Sequence, residues 1–297
     1  MSNYEEILNT NTAAPKDSKA DFAAESKANR TRCYELLEQM TEEVAGSGKN
    51  LQRYLDVQSR FDRYTPSNAL LIMGQREEAR KLGNYGFWRE QGVFIKRQER
   101  NNYILILEPG DEYQREDGSI GTYYNAKKLY DVSQTTMRNK IEPQVSMDEK
   151  LLVRALINRS PVALQTVEAK EMKGKGGAEF SPEESCIYIK KGMSGQEIFR
   201  SVSKELAHAE LSGGATDYNR DTNELRAAGA AYLLCKKYGI DTKGMEFTHD
   251  PKYFGEMELQ EIRGELSKIR DTAGGISQRM HKFLEQERGS QEKGNER

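Results

Sequence analysis

GQEIFRSVSKELAHAEL (Gly195–Leu211) and, after a glycine-rich gap, DTNELRAAGAAYLLCKKYGIDT (Asp221–Thr242) are the two runs whose reading decides the fold. In the first, Ile198, Val202, Leu206 and Ala209 recur at steps of three and four, the spacing of one face of an amphipathic helix. The second places Leu225, Ala228, Ala231, Tyr232 and Cys235 on one side, with Asp221 and Thr222 as candidate caps and Gly239 as the stop. Glycine closes a helix because it takes the left-handed conformation without a steric penalty.

Inside the first helix stands Lys204-Glu205-Leu206-Ala207-His208. A histidine at 204 would make this H-E-x-x-H, in which two imidazoles one turn apart hold zinc and the glutamate polarises the metal-bound water. A third ligand, usually a carboxylate, comes from the next helix, roughly twenty residues on. That count from His208 lands on Ala228. Lysine stays protonated near neutral pH and sets a positive charge where the ion would bind, and alanine has no donor atom. Lys204, His208 and Ala228 therefore read as vestigial ligand positions, and Glu205 as a vestigial catalytic base. No cofactor is expected, and zinc enters only if the ligand set is rearranged. His249 and His281 are the other histidines, and neither has ligand spacing to His208.

Further signals lie outside these helices. Upstream, Cys186-Ile187-Tyr188-Ile189 reads as a strand leading into the motif helix, and Leu151–Ile157 as another helix. Lys173–Gly177 is a glycine-rich turn without the spacing of a phosphate loop. In the N-terminal half, helices are expected over 32–44, from Leu51 to Phe61, and after Ser67 or Asn68 as caps up to Gly83. Strands follow at Trp88, Val93–Lys96, Tyr103–Leu107 and Leu129–Val132, with turns at Asn101-Asn102 and Asp117-Gly118 and a polar insertion over 110–127. The last long run, Leu259, Ile262, Leu266, Ile269, Ala273, Ile276, Met280 and Phe283, alternates steps of three and four. A seam this short is expected to pack on its own domain, with Gly274-Gly275 loosening its middle.

These patterns give an α+β chain: N-terminal helices with a small antiparallel sheet, then a mostly helical domain ending in a long amphipathic helix. The expected limits are a flexible leader over 1–30, an N-terminal domain over 31–140, a linker over 141–150, a second domain over 151–285 and a charged tail over 286–297.

The helical hairpin, with its LAHA run and the ending Ala231-Tyr232…Tyr238-Gly239-Ile240-Asp241-Thr242, resembles the zincin-type domain of ImmA/IrrE-like metallopeptidases. Tyr64-Thr65-Pro66-Ser67-Asn68-Ala69-Leu70-Leu71-Ile72, Trp88 with Gly92, and Asp131-Val132-Ser133-Gln134-Thr135 resemble the N-terminal single-stranded-DNA-binding domain of ArdC-type antirestriction proteins. Together the two resemblances span about 51–283, and the chain departs from the pattern at the metal positions. They imply a single-stranded-DNA-binding, antirestriction-like accessory protein of a mobile genetic element, with Tyr64, Asn68, Trp88, Lys96, Arg97 and Arg100 as the strand-contact set. Aromatic faces take bases of any sequence, and cations take phosphates. The alternatives are a zinc metallopeptidase with an atypical ligand set, and a pseudoenzyme that grips a host defence or regulatory protein.

Composition is compatible with this reading without demanding it. The 297 residues suffice for two ordinary domains. The net charge of −2 does not announce a nucleic-acid binder, although residues 51–107 carry ten Lys/Arg against six Asp/Glu. Three scattered cysteines build no disulfide framework. The absence of a long apolar run or signal-peptide core leads to the expectation of a cytoplasmic protein with no membrane partner.

Overall fold

The structure is a computed structural model that describes residues 19–137, 148–172, 176–215, 217–247 and 253–295. Among the described residues it is α+β: eight α-helices and two three-stranded sheets. α1 (Lys19–Ala45), α2 (Gly48–Arg60) and α3 (Pro66–Arg76) open the chain. β1 (Leu82–Gly83), α4 (Tyr85–Glu90), β2 (Ile104–Gln114) and β3 (Ile120–Asp131) follow, with antiparallel order β1-β3-β2. α5 (Glu149–Ile157), β4 (Ala163–Val167), β5 (Ala178–Ser181) and β6 (Cys186–Lys190) lead to α6 (Gly195–Ser212), α7 (Arg220–Tyr238) and α8 (Leu259–Asn295). In the second sheet β6 is central, parallel to β4 and antiparallel to β5.

Local chemistry sets the helix ends. The Ser194 hydroxyl accepts from the Glu197 N–H while the Glu197 carboxylate accepts from the Ser194 N–H, so α6 starts on a capping box. It ends at Gly213, φ 56°, as α7 ends at Gly239, φ 72°. The start of α7 is capped by Asn219 rather than Asp221 or Thr222. Likewise Thr65 caps α3 in place of Ser67 or Asn68, because Pro66 has the fixed φ that suits the first helical position and leaves the cap to the residue before it.

One apolar core runs through both halves of the chain, from Leu37, Leu51 and Leu70 to Val202, Leu234 and Ile276. α8 supplies the closing stave: Ile262, Leu266, Ile269, Ala273, Ile276 and Met280 are all buried, so the seam packs internally. Gly274 and Gly275 do not interrupt the helix. Gly229 on α7 faces Ile269 so closely that an added Cβ would sit 2.9 Å from its Cγ2. That position is glycine because α7 and α8 cross there.

Several expectations need correction. α1 begins at Lys19, within the stretch expected to be a flexible leader, and residues 1–18 lie outside the described residues. Most of the expected linker, 141–147, is also outside them, and α5 already starts at Glu149 on its Asp148 cap. The charged tail continues α8 as far as Asn295. Val93–Lys96 is no strand but makes the single bridge Ile95–Thr135. Trp88 lies in α4, which Gly92 (φ 68°) turns back so that Trp88, Val93, Ile95 and Val132 form a small satellite core. The polar insertion is the outer half of the β2–β3 hairpin, turning at Asp117-Gly118. β4 and β5 escaped prediction, β4 because only Val167 at its end is buried and no alternation marks it.

Strand β2 is an edge strand, and α3 seals it. Asn68 Nδ2 donates to the Leu107 carbonyl at 2.9 Å while Asn68 Oδ1 accepts from the Leu107 N–H at 2.8 Å. Two turns on, Gln75 does the same for Leu105, with both bonds at 2.8 Å. Alternate residues of a strand present their backbone groups to the same side, so two amides seven residues apart on one helix satisfy the edge that would otherwise template another chain.

Candidate functional site

The Lys204–His208 motif sits in the middle of α6, packed under β5 and against α7. Lys204 and His208, one turn apart, share a face, and both meet Glu224 of α7. The Lys204 ammonium pairs with Glu224 Oε1, and His208 Nε2 lies 3.2 Å from Oε2. An ionised carboxylate only accepts, so Nε2–H is the donor. The other ring nitrogen, Nδ1, is 2.8 Å from the Tyr218 hydroxyl. His208 is fully buried. The hydrogen bond from His208 and the contact with Lys204 hold the Glu224 carboxyl down to about 2. Burial pushes the Tyr218 hydroxyl up to about 12, so it stays protonated.

Glu205 points to the other side of the motif. Arg220 grips it with two parallel bonds of 2.7 Å, one to each oxygen, and the Phe180 N–H of β5 donates to Oε2 at 2.8 Å. Its side chain is only 4% exposed. A buried carboxylate needs such partners to stay charged, and these bonds tie α6 to both β5 and the start of α7.

The residues present do not fit a zinc ion. His208 and Glu224 are the two donors that face each other, the Lys204 side chain fills the third corner, and Glu205 is committed to Arg220. Among the described residues no group of three or more His, Cys, Asp or Glu could hold a metal. His281 is exposed on α8 beside Glu285, and His249 lies outside the described residues.

Ala228, where the count placed the third ligand, is corrected by Glu224, one turn earlier on the same face of α7 and sixteen residues from His208. The count applied a spacing of roughly twenty residues, whereas the packing of α6 on α7 brings together residues sixteen apart. Tyr218 and Arg220 were missed because one lies just before α7 and the other is its first residue, at the edge of a gap that reads as mere connection.

The expected strand-contact residues scatter. Trp88 is fully buried, its Nε1–H bound to the Tyr130 carbonyl at 3.0 Å, so its faces are closed to a base. Asn68 is spent on Leu107. Lys96 donates to the Ser133 carbonyl at 2.9 Å, and Arg97 and Arg100 are exposed near that end of the sheet. Of that set, Tyr64 and Asn68 line one groove of about 610 Å³. Tyr34 of α1, Tyr124 of β3, Arg63, and Arg263 of α8 complete its aromatic and cationic lining. Tyr34 and Tyr124 are 42% and 40% exposed, enough to offer a ring face. Burial lowers the Arg263 pKa from the usual arginine range. Five stretches of the chain build this groove, so no local motif announces it.

No helix among the described residues is long and apolar enough to cross a membrane. No protein-family profile matches the sequence, and no curated protein does. Among solved structures the chain is similar to the metal-free crystal structure of the antirestriction protein ArdC from plasmid R388, with a TM-score of 0.50 and 13% identity over 74% of this chain and 86% of that one. The Mn(II)-bound crystal structure of the same protein gives 0.49 and 14% over 76% and 97%. At such identity the likeness is one of architecture: the chain has an ArdC-like fold.

Proposed function

We propose that this protein binds single-stranded DNA as an antirestriction-like accessory of a mobile genetic element, and that its zincin-like half no longer works as a zinc peptidase. The observation that carries the first part is the groove between α1, α3, β2 and α8. Tyr34, Tyr64 and Tyr124 offer ring surface, Arg63 and Arg263 offer positive charge, and the volume of about 610 Å³ suits a short run of nucleotides. Stacking on aromatics beside cations is how single strands are held without sequence preference. The fold likeness to a plasmid antirestriction protein points the same way.

The second part is supported by what the motif residues already hold. A divalent ion would have to displace the Lys204 ammonium from Glu224, and Glu205 would have to leave two bonds to Arg220. Both exchanges run against the charge pairing of the cleft.

The test is fluorescence anisotropy of the full chain with a labelled oligothymidine, repeated across a salt series, with elemental analysis of the same sample. Salt-dependent binding is expected, because phosphate contacts release counterions. Tyr124→Ala is expected to lose about 1–3 kcal/mol of affinity per stacked base. Arg63→Ala with Arg263→Ala is expected to flatten the salt slope by about 0.7 per phosphate contact. No binding at low salt would end the DNA reading, and stoichiometric zinc in the wild-type chain would end the other.

A further inference from the structure

The disagreement between the motif and the metal it would suit has a specific geometry. We propose that the Lys204 ammonium is a built-in cation that pairs with Glu224, which in turn holds His208, over a latent zinc site that the single substitution Lys204→His opens. The inference rests on the reading of the cleft as one without zinc, and not on DNA binding.

Glu224 divides its two oxygens between the motif residues, Oε1 to Lys204 and Oε2 to His208 at 3.2 Å. The imidazole of α6 and the carboxylate of α7 are thereby brought side by side next to the Lys204 position. The far nitrogen of His208 is fixed by the Tyr218 hydroxyl at 2.8 Å. With Nε2 on a metal, Nδ1–H would donate to this hydroxyl, and a hydrogen bond of that kind is what orients a ligating histidine. Two protein ligands are thus in place and oriented, and the remaining corner carries a positive charge. An imidazole at 204 would lie one turn from His208 on the same face, and its shorter side chain would leave room where the ammonium now sits. Two imidazoles and a carboxylate with an open fourth position suit zinc.

Hydrolysis is not expected to return with the metal. Arg220 still occupies both oxygens of Glu205, and the Phe180 N–H a further position on one of them. Metal uptake without peptidase activity is the signature of this arrangement.

The experiment uses full-length wild type, Lys204→His, and Lys204→His combined with Glu224→Gln or with Tyr218→Phe. Each is stripped with chelator and then titrated with zinc chloride, with cobalt chloride as a spectroscopic probe of tetrahedral coordination. Lys204→His is expected to bind about one zinc per chain and to show the cobalt band, while wild type does neither. Adding Glu224→Gln is expected to abolish uptake, and adding Tyr218→Phe to weaken it about ten- to a hundredfold. A folded Lys204→His chain that takes up no zinc overturns the proposal, as does uptake that survives Glu224→Gln. If Lys204→His is unfolded without metal, circular dichroism decides. Zinc-driven folding supports the latent site, because structural metal binding appears as folding free energy, and no response overturns it. Zinc held by the wild-type chain would sink the proposed function too, whereas a metal-free wild type beside a metal-free Lys204→His sinks this inference alone.

Discussion

Asn68→Ala separates a structural amide from a DNA contact. Asn68 is 7% exposed and makes both of its strong bonds to Leu107, donating to the carbonyl at 2.9 Å and accepting from the N–H at 2.8 Å. Truncation leaves two backbone groups of a buried edge position without partners. Each unsatisfied group costs about 1–3 kcal/mol, for a ceiling near 6. Asn68 and Leu107 both line the groove beside Tyr64, so water reaches this edge and replaces part of the loss. The expected destabilisation is therefore about 2–3 kcal/mol. For a chain of this size it corresponds to a fall in Tm of about 3–5 °C. The assay is thermal and urea unfolding of wild type and Asn68→Ala, with oligonucleotide anisotropy measured well below the lower Tm. Lower stability with DNA affinity changed less than threefold is expected. Unchanged stability together with lost DNA binding would refute the edge-sealing role and return Asn68 to the strand-contact set.

Two further substitutions probe the ion pairs. Arg226 and Glu265 join α7 to α8 with side chains 20% and 9% exposed, and breaking one side of a buried pair costs about 3–5 kcal/mol. Arg226→Met is expected near the low end, since Lys268 at 2.9 Å and Tyr253 at 3.3 Å stay on the carboxylate. Urea unfolding checks it, and a loss under about 1 kcal/mol would contradict the pairing argument. Glu224→Gln tests the cleft by pH. The folded carboxyl titrates at about 2, below the ordinary glutamate value of about 4.3, so its contribution is complete above that value and is lost as pH falls towards 2. The wild-type Tm is expected to fall more steeply than that of the variant between these limits, and parallel acid limbs would rule the linkage out.

The sequence by itself determined the elements whose cause is local. The glycine stops of α6 and α7 and the apolar stripe of α8 were legible, since each follows from neighbours within a turn or two. So was the misfit of Lys204 in a metal motif, because side-chain charge is fixed by residue type. Only the tertiary structure decided which groups meet across segments. It placed Glu224 rather than Ala228 against His208, gave Glu205 to Arg220, and buried Trp88 in a satellite core. It also turned Asn68 into the seal of a sheet edge and gathered Tyr34, Tyr64, Tyr124, Arg63 and Arg263 into one groove. The physical reason is range. Periodicity and caps report interactions a few residues apart, whereas a helix crossing or a groove wall depends on loop lengths and packing angles that composition and spacing do not encode.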